Sequence, residues 1–259
     1  MGERKAGLLA IDRKPLQGVL NIIRFNWHFY AIAGLSIMSL GMFSHLMPEP
    51  FQLLTLWGAV LAAFAISLSL IASYYIYDVS HLYQLPWLPD LNEKAVLNIN
   101  AGFDETSLLL SDKHPSIELQ ICDFYDAKKH TEVSIKRART AYPLLENTVS
   151  VSTEKIPFAD HSFDAALAIL SAHEIRDDRE RVQFFKELER VTKPNGQIMI
   201  TEHLRDFSNF AVYTIGFFHF HSRATWLDTF HEANLTVKQE IKTTRFITTF
   251  VLEKNGHVS

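Results

Sequence analysis

Four histidines in the second half of the chain have the sequence context of active-site residues. His173 and His203 each follow an apolar run that is typical of a buried strand, while His219 and His221 flank a phenylalanine. An imidazole whose pKa is near neutral can remove a proton from a phenol or stabilise an enolate. All four are candidate catalytic residues, and a packing or capping role is the alternative for each.

An aromatic segment at residues 209–222, NFAVYTIGFFHFHS, contains two of these histidines. It is either ordinary core or the wall of a tunnel for a greasy substrate, and its Tyr213 is a further candidate catalytic residue. Two alternating histidines on a strand face the same way, so His219 and His221 could bind a metal with His203. No further spacing supports such a site, and we predict no metal.

The stretch VLNINAGFDETS at residues 96–107 reads as a strand, a turn with one glycine, and a helix start. Asparagine tolerates a left-handed backbone, so Asn100 need not break the turn, and Gly102 allows one close approach to a ligand. Asp104 is a good helix cap. Asp104 and Glu105 would repel the phosphates of a dinucleotide, so the turn favours a cofactor without phosphate.

Composition excludes several classes of protein. The net charge is −4, and no long basic stretch indicates a nucleic-acid partner. The single cysteine, Cys122, rules out an internal disulfide framework and permits a reducing compartment.

Two apolar runs, residues 25–47 and 51–77, contain no Asp, Glu, Lys or Arg. Because about 20 apolar residues span the hydrocarbon core of a bilayer, we predict a transmembrane hairpin over residues 25–78. Two buried helices of a soluble protein are the alternative. Basic residues precede the first run, and the short connecting loop carries only Glu49. The positive-inside rule therefore predicts a multi-pass protein of the inner (cytoplasmic) membrane with its main domain in the cytoplasm.

The remaining boundaries follow from composition. Residues 1–24 mix basic and apolar residues and are expected to lie on the inner leaflet. Residues 79–90 contain two prolines and are expected to be a linker, and residues 91–259 form the main domain. There we predict strands at residues 95–99, 118–122, 163–170, 197–201, 236–242 and 246–253, and helices at residues 131–142, 177–191 and 226–233. The alternation indicates a doubly wound, mainly parallel α/β sheet whose last two strands pair antiparallel. The helix at residues 131–142 is basic, and either faces solvent or rests on anionic lipid.

Two segments carry a family resemblance. Residues 152–177 read STEKIPFADHSFDAALAILSAHEIRD, and residues 184–202 read FFKELERVTKPNGQIMITE. They resemble the class I S-adenosylmethionine-dependent methyltransferases of the quinone- and lipid-modifying type. Those proteins typically read E-x-L-P-F-x-D-x-S-F-D, a strand, H-x-x-x-D, a helix, and R-V-L-K-P-G-G before another strand. The resemblance covers about residues 91–254, includes none of the hairpin, and implies a seven-stranded Rossmann-like fold.

The resemblance also implies roles for individual residues. Asn98 stands where the family prefers an acidic residue, while Asn100, Gly102 and Asp104 stand at the three glycine positions. Asp123 would grip the ribose hydroxyls of S-adenosylmethionine, and Ser152 stands where an aspartate often meets the adenine. The implied cofactor-binding residues are Asn98, Asn100, Gly102, Asp123, Ser152, Glu154 and Ser171.

The sequence therefore predicts a membrane-anchored methyltransferase that transfers a methyl group from S-adenosylmethionine to an oxygen or carbon of a lipophilic acceptor. A quinol, a phenol or a lipid-borne intermediate is the expected acceptor. The expected partners are the membrane and this small molecule, with a homo-oligomer or a biosynthetic complex as further options. The alternatives are a non-catalytic methyltransferase-like scaffold or lipid-binding subunit, and a metal-assisted activity of the histidines.

Overall fold

Seven strands form one sheet in the order β3-β2-β1-β4-β5-β7-β6 in the computed structural model, which describes residues 13–255. Strands β1 to β5 pair in parallel, and β7 is antiparallel to both β5 and β6. The mainly parallel α/β sheet and the antiparallel closing pair are thus confirmed. The strands are β1 (Ala95–Asn100), β2 (Glu118–Asp123), β3 (Thr148–Ser150), β4 (Phe163–Ile169), β5 (Thr192–His203), β6 (Leu235–Lys242) and β7 (Ile247–Lys254).

Eight α-helices accompany the sheet within the described residues. They are α1 (Gln17–Phe25), α2 (Trp27–Ser44), α3 (Glu49–Tyr74), α4 (Ser107–Lys113), α5 (Val133–Ala141), α6 (Asp178–Val191), α7 (Phe207–Tyr213) and α8 (Arg223–Glu232). The three predicted helices of the main domain correspond to α5, α6 and α8. Asp177 begins α6 by accepting a hydrogen bond from the Glu180 N–H, which satisfies a donor at the helix start.

Two apolar clusters hold the domain together. One joins the sheet to α6 and α8 and contains Phe184, Phe185 and Trp226. The other contains Leu85, Leu88 and Leu91 beside β1, β4 and β5. The segment at residues 79–90, which the sequence predicts to be a linker, therefore also contributes buried side chains to the core. Its leucines are buried against the sheet, because apolar side chains recur along this proline-containing segment.

The predicted hairpin is a pair of helices, α2 and α3, that pack against one another. A π-helical turn, Tyr75–Val79, continues α3. Among the helices in residues 13–255, the helical stretch Glu49–Gln84 is long and apolar enough to cross a membrane, with a mean hydropathy of 2.1 over its most apolar window. Only 6% of that window is buried, unlike a helix in the core of a soluble protein. That α2 and α3 cross a membrane stays a prediction.

Helix α1 packs against the rest of the protein. The Gly18 and Val19 N–H groups donate to the Asp78 carboxylate at 2.7 and 2.8 Å, and the Asn21 amide donates to the Tyr142 hydroxyl at 2.8 Å. A Cβ atom on Gly18 would lie 2.4 Å from that of Tyr77, so this contact requires glycine. The inner-leaflet expectation for residues 1–24 did not foresee this packing, and its residues 1–12 lie outside the described part.

Candidate active site

A cavity of about 300 Å³ lies at the carboxyl ends of the central parallel strands. This is the edge where doubly wound sheets bind ligands. Its walls come from the strand ends, from α1 and from the segments after α3 and β4. The side chains that line the cavity include those of Asn21, Phe25, Tyr77, Asn100, Phe103, His173, His203, His219 and Phe220.

The turn after β1 closes despite its asparagines. Gly102 has a φ of 95°, the left-handed region that favours glycine. The Asn100 side-chain oxygen accepts a hydrogen bond from the Gly102 N–H at 2.9 Å, which bends the chain. Asp104 then accepts hydrogen bonds from the Thr106 and Ser107 N–H groups, both at 2.9 Å. Asp104 therefore closes the turn just before α4, whose N-cap residue is Thr106 and not Asp104 as the sequence predicts.

Three buried polar atoms of this turn have no hydrogen-bond partner within residues 13–255. They are the Asn98 side-chain oxygen, the Asn100 side-chain nitrogen and one oxygen of Asp104. A buried polar group without a partner costs about 1–3 kcal/mol, so such groups are suited to meeting a ligand. Asn100 also lines the cavity. Its free N–H fits a ligand carboxylate and the Asp104 oxygen fits a cation, which are the groups at the methionyl end of S-adenosylmethionine.

Asn98 lies behind the turn. Its side-chain nitrogen donates to the hydroxyls of Thr106 and Ser107 at 3.0 and 2.8 Å, so it holds α4 against β1.

Asp123 ends β2 and is engaged by an arginine. One of its carboxylate oxygens lies 2.5 Å from Arg139 Nη1, and the other accepts a hydrogen bond from the Tyr125 N–H at 2.8 Å. A Cβ atom on Gly102 would lie 2.6 Å from the same Arg139 nitrogen. The guanidinium therefore occupies the space between Gly102 and Asp123, where the resemblance places a ribose. Arg139 must turn aside before this carboxylate can bind ribose hydroxyls.

The other residues implied as cofactor contacts lie away from the cavity. Ser152 and Glu154 are exposed, and the Ser152 hydroxyl accepts a hydrogen bond from the Glu154 N–H at 3.1 Å. Ser171 is buried at the end of β4, where its hydroxyl donates to the Ile99 carbonyl at 3.0 Å. Ser171 thus links the ends of β4 and β1, and cofactor contact by these residues stays a prediction.

His173 lies between two carboxylates. Its Nδ1 is 2.6 Å from Glu202 Oε2, and its Nε2 is 3.4 Å from Glu174 Oε1. Burial disfavours the charged imidazolium, but the two carboxylates outweigh it and raise the pKa of His173 to about 10. The pKa of Glu174 is lowered, because hydrogen bonds and charge from His173 and His219 outweigh its desolvation. His173 is therefore cationic at neutral pH.

His203 is neutral. Complete burial lowers its pKa to about 3, and the positive charge of His173 acts in the same direction. Its Nδ1 lies 2.9 Å from the Asn209 side-chain oxygen, while its Nε2 lies 2.8 Å from the Tyr77 hydroxyl. The Asn209 side-chain nitrogen donates to Asp206 and to the Phe246 carbonyl, which leaves the Asn209 oxygen as the acceptor. The proton of His203 is therefore on Nδ1, and Nε2 is free to accept one.

The two remaining candidate histidines, His219 and His221, lie in different surroundings. His219 lines the cavity beside His173, with ring centroids 5.1 Å apart. His221 is buried against Trp226, and burial with the nearby Arg181 lowers its pKa to about 4. The metal alternative with His203, His219 and His221 is wrong, because within residues 13–255 these three side chains do not form a group of closely spaced ligand atoms, and His219 ends a 3₁₀-helix instead of lying on a strand.

Tyr213 packs edge-on against His203 at 5.6 Å between ring centroids. Its hydroxyl lies 3.5 Å from that of Ser73 in α3, and burial raises its pKa to about 12. Tyr213 therefore joins the aromatic segment to the apolar helix. Three partners of the candidate histidines were not predicted from the sequence: Tyr77, Asn209 and Glu202. Their contacts with the histidines form only when the chain folds, and no sequence motif marks them.

The buried neutral state of His203 predicts how folding stability depends on pH. The unfolded chain protonates this imidazole near pH 6.5 and the folded chain only near pH 3, so protons bind preferentially to the unfolded state between these values. The free energy of unfolding should therefore fall as the pH drops from 6.5 to 4. In His203→Gln the fall should be shallower, by up to about 1.4 kcal/mol per pH unit. Urea unfolding followed by tryptophan fluorescence measures both slopes, and parallel slopes would contradict a buried neutral imidazole.

The family match covers the middle of the α/β domain. Residues 126–200 match a family described as a methyltransferase domain. The α/β part of the chain is therefore similar to S-adenosylmethionine-dependent methyltransferases, and this similarity supports S-adenosylmethionine as the cofactor.

Individual relatives agree with this class. The ubiquinone/menaquinone biosynthesis C-methyltransferase UbiE of Geotalea daltonii is 32% identical over 109 residues, which are 41% of this chain and 44% of that protein. The chain thus matches less than half the length of this curated relative. Among solved structures, mitomycin 7-O-methyltransferase MmcR has a TM-score of 0.51 at 13% identity, covering 95% of this chain and 74% of its own. The pyocyanin biosynthetic protein PhzM has a TM-score of 0.50 at 12% identity, and the match covers 71% of this chain and 57% of PhzM. At these identities the structures show the fold alone.

Proposed function

We propose that this protein is a membrane-anchored methyltransferase that transfers a methyl group from S-adenosylmethionine to an oxygen or carbon of a lipophilic acceptor, such as a quinol, a phenol or a lipid-borne intermediate. One observation carries the proposal. The cavity is bounded by Asn100 of the cofactor turn, by the neutral His203 and by Tyr77, which lies in the helical extension of the apolar α3. The turn proposed to bind the cofactor, the proposed base and the extension of the candidate membrane helix all line this one cavity, which supports the proposal.

The cavity walls suit an apolar ligand. Most of its lining side chains are aliphatic or aromatic: Ile22, Phe25, Ile99, Phe103, Ile169, Leu170 and Phe220. Two of its walls, α1 and the Tyr77 turn, adjoin the helices with exposed apolar faces. In α3, Leu54, Leu61 and Phe64 are more than three-fifths exposed. An acceptor dissolved in the bilayer can therefore approach the cavity from the side without crossing water.

Different residues of the chain have different roles in the proposed reaction. The bound cofactor supplies an electrophilic methyl group. An imidazole with a pKa of about 3 is too weak a base to ionise a phenol outright. His203 Nε2 instead takes the proton of the acceptor hydroxyl as the new methyl–oxygen bond makes that proton strongly acidic, and Asn209 fixes the required tautomer. The cationic His173 stabilises negative charge on the acceptor. The Glu202 carboxylate holds His173 in position because it contacts the imidazole Nδ1 and accepts a hydrogen bond from the His173 backbone N–H.

The membrane orientation and the partners belong to the same proposal. Basic residues before α2 and the weakly charged loop before α3 favour a domain on the cytoplasmic side of the inner membrane. Contacts of α1 and α3 with the α/β domain support a domain held against the bilayer. A homo-oligomer or a larger biosynthetic complex is compatible with this anchor.

The ion pair between Arg139 and Asp123 favours the second candidate function, a non-catalytic scaffold or lipid-binding subunit. The guanidinium lies where a cofactor ribose is expected, so an immobile Arg139 would exclude the adenosyl group. Methyl transfer requires that this side chain be displaced by the cofactor.

Arg139→Met tests which description is correct. If Arg139 competes with the ribose for Asp123, its removal should tighten S-adenosylmethionine binding about 3- to 5-fold, because a partly exposed ion pair is worth up to about 1 kcal/mol. Calorimetry on the detergent-solubilised protein measures this affinity, with Lys136→Met on the same helix as the control. Weaker binding in Arg139→Met would instead make Arg139 part of the cofactor site.

The experiment that tests the proposed function compares lipid and quinone extracts of cells with and without the gene by mass spectrometry. We expect a lipophilic compound that lacks one CH₂ unit to accumulate when the gene is absent. The purified protein should then methylate that compound with isotope-labelled S-adenosylmethionine. Identical extracts, together with no transfer to any compound in them, would contradict the proposal.

A further inference from the structure

Three potential ligand atoms converge at the rim of the cavity. Glu174 Oε1 lies 3.4 Å from His173 Nε2 and 3.6 Å from His219 Nε2, and the three residues have ligand atoms within 4.8 Å of one another. Zinc bonds of about 2.0–2.1 Å in a tetrahedron put neighbouring ligand atoms roughly 3.3–3.4 Å apart. The two measured spacings are therefore close to those around a four-coordinate ion, without movement of the backbone.

The orientation of His173 is set by its other ring nitrogen. Nδ1 lies 2.6 Å from the fully buried Glu202, whose carboxylate also accepts hydrogen bonds from the Ser171 and His173 N–H groups, both at 3.1 Å. A metal-bound histidine usually donates its second N–H to a carboxylate in this way, which fixes the tautomer and strengthens the ligand. Nε2 of His173 is thus the nitrogen that faces Glu174 and His219.

The charges around the cluster favour a cation. The carboxylates of Glu174 and Glu202 contact His173, and Glu132 lies 3.5 Å from His219 Nδ1. A cation among them compensates several negative charges at a site whose three proposed ligands are partly buried. A divalent metal ion can take the position of a proton on His173 Nε2.

One group opposes a metal. Arg176 Nη2 lies 2.6 Å from Nδ1 and 2.9 Å from Nε2 of His219, so a guanidinium covers the imidazole. Arg176 is exposed and has room to turn into solvent. Its positive charge should weaken metal binding without preventing it.

We propose that His173, Glu174 and His219 bind one divalent transition-metal ion, with Zn²⁺ the best match to this set of nitrogen and carboxylate ligands. His173 and His219 also line the cavity, so a fourth coordination position can face the acceptor. A metal ion there would take over the role that the protonated His173 has without metal, because it would lower the pKa of a bound hydroxyl group and neutralise its charge. This catalytic role rests on the proposed function, whereas metal binding itself does not.

The test uses the intact protein without a histidine tag, purified in detergent and stripped with a chelator. Titration with ZnCl₂ in a calorimeter should show one Zn²⁺ per chain. His219→Ala and Glu174→Gln should each weaken binding at least tenfold at an unchanged melting temperature. Arg176→Met should strengthen it, and His231→Gln, an exposed histidine of α8, should leave it unchanged. Intense visible absorption after loading with Co²⁺ would report a four-coordinate site.

Absence of stoichiometric binding, or equal binding by His219→Ala, Glu174→Gln and the unaltered protein, would overturn the metal site. These measurements contain no S-adenosylmethionine, so their outcome is independent of methyl transfer. Metal-stripped protein that methylates its acceptor at the full rate, while still binding Zn²⁺ at these residues, would overturn the catalytic role alone.

Discussion

Replacing His203 with glutamine should reduce kcat by about 10²–10⁴-fold, the usual contribution of a general base. Burial and the hydrogen bond to Asn209 keep this imidazole neutral, with Nε2 directed at Tyr77 inside the cavity. Glutamine can still accept a hydrogen bond at this position but cannot take up a proton. The rate should be measured with saturating cofactor and acceptor, since the loss is expected in the chemical step.

Matched variants separate loss of the base from general damage. Tyr77→Phe leaves the imidazole in place and should cost less than tenfold, and His231→Gln should leave the rate unchanged. S-adenosylmethionine affinity should be the same in His203→Gln as in the unaltered protein. A fully active His203→Gln would remove His203 from the mechanism, and an equal loss of cofactor affinity would show that the substitution disturbs the cofactor site instead.

Asp123→Ala should weaken S-adenosylmethionine binding about 100-fold or more. In the proposed complex the Asp123 carboxylate accepts hydrogen bonds from two ribose hydroxyls. The substitution removes both charge-assisted hydrogen bonds, each worth about 1.5–3 kcal/mol. Asp123 is buried at the end of β2, and its neighbour in the sheet register is Asn100 at the end of β1. Because this neighbour is an amide, it cannot take over the role of the lost carboxylate. Equilibrium binding at constant ionic strength measures the loss.

The variant needs a check on folding, because Asp123 also accepts hydrogen bonds from Tyr125 and Arg139. The double variant Asp123→Ala/Arg139→Met removes the unpaired guanidinium and should show the same weak binding with a restored melting temperature. Unchanged affinity in both variants would show that the end of β2 is not the ribose site. The same result would invalidate the family-based placement of the adenosyl group.

The sheet of the main domain was largely predictable from the sequence, because the central strands are short apolar runs separated by polar helical segments. The runs at residues 95–99 and 163–170 became β1 and β4 with nearly the predicted ends. The three-residue β3 was not predicted, since so short an edge strand leaves little periodic signal. The start of β5 at Thr192 was missed because Pro194 and Gly196 are typical of a loop.

The site was only partly predictable. His173, His203, His219, Asn100 and Tyr213 were named from the sequence, and the fold places all of them in or beside one cavity. Their partners depend on contacts between distant segments. Tyr77 is the last residue of the second apolar run in the sequence, yet it contacts His203, which lies 126 residues later in the chain.

Arg139 illustrates the same limit. On a basic amphipathic helix it reads as one of several solvated cations, and its contact with Asp123 depends on how α5 packs beside the turn. Neither alternative given for this helix, solvent or anionic lipid, foresaw a guanidinium in the cofactor crevice. The position of α1 as a wall of the cavity was missed for a similar reason, because it depends on Asp78 accepting hydrogen bonds from N–H groups about sixty residues earlier.

The central claim is that a turn with an asparagine and an aspartate at two of its three glycine positions, next to the buried Asp123 carboxylate, binds S-adenosylmethionine. Isothermal calorimetry of the intact protein in lipid nanodiscs, titrated with S-adenosylmethionine, tests it directly. We predict saturable binding of one molecule per chain, with affinity raised by Arg139→Met and nearly abolished by Asp123→Ala. No heat of binding at millimolar cofactor, in both the unaltered protein and Arg139→Met, would contradict the claim.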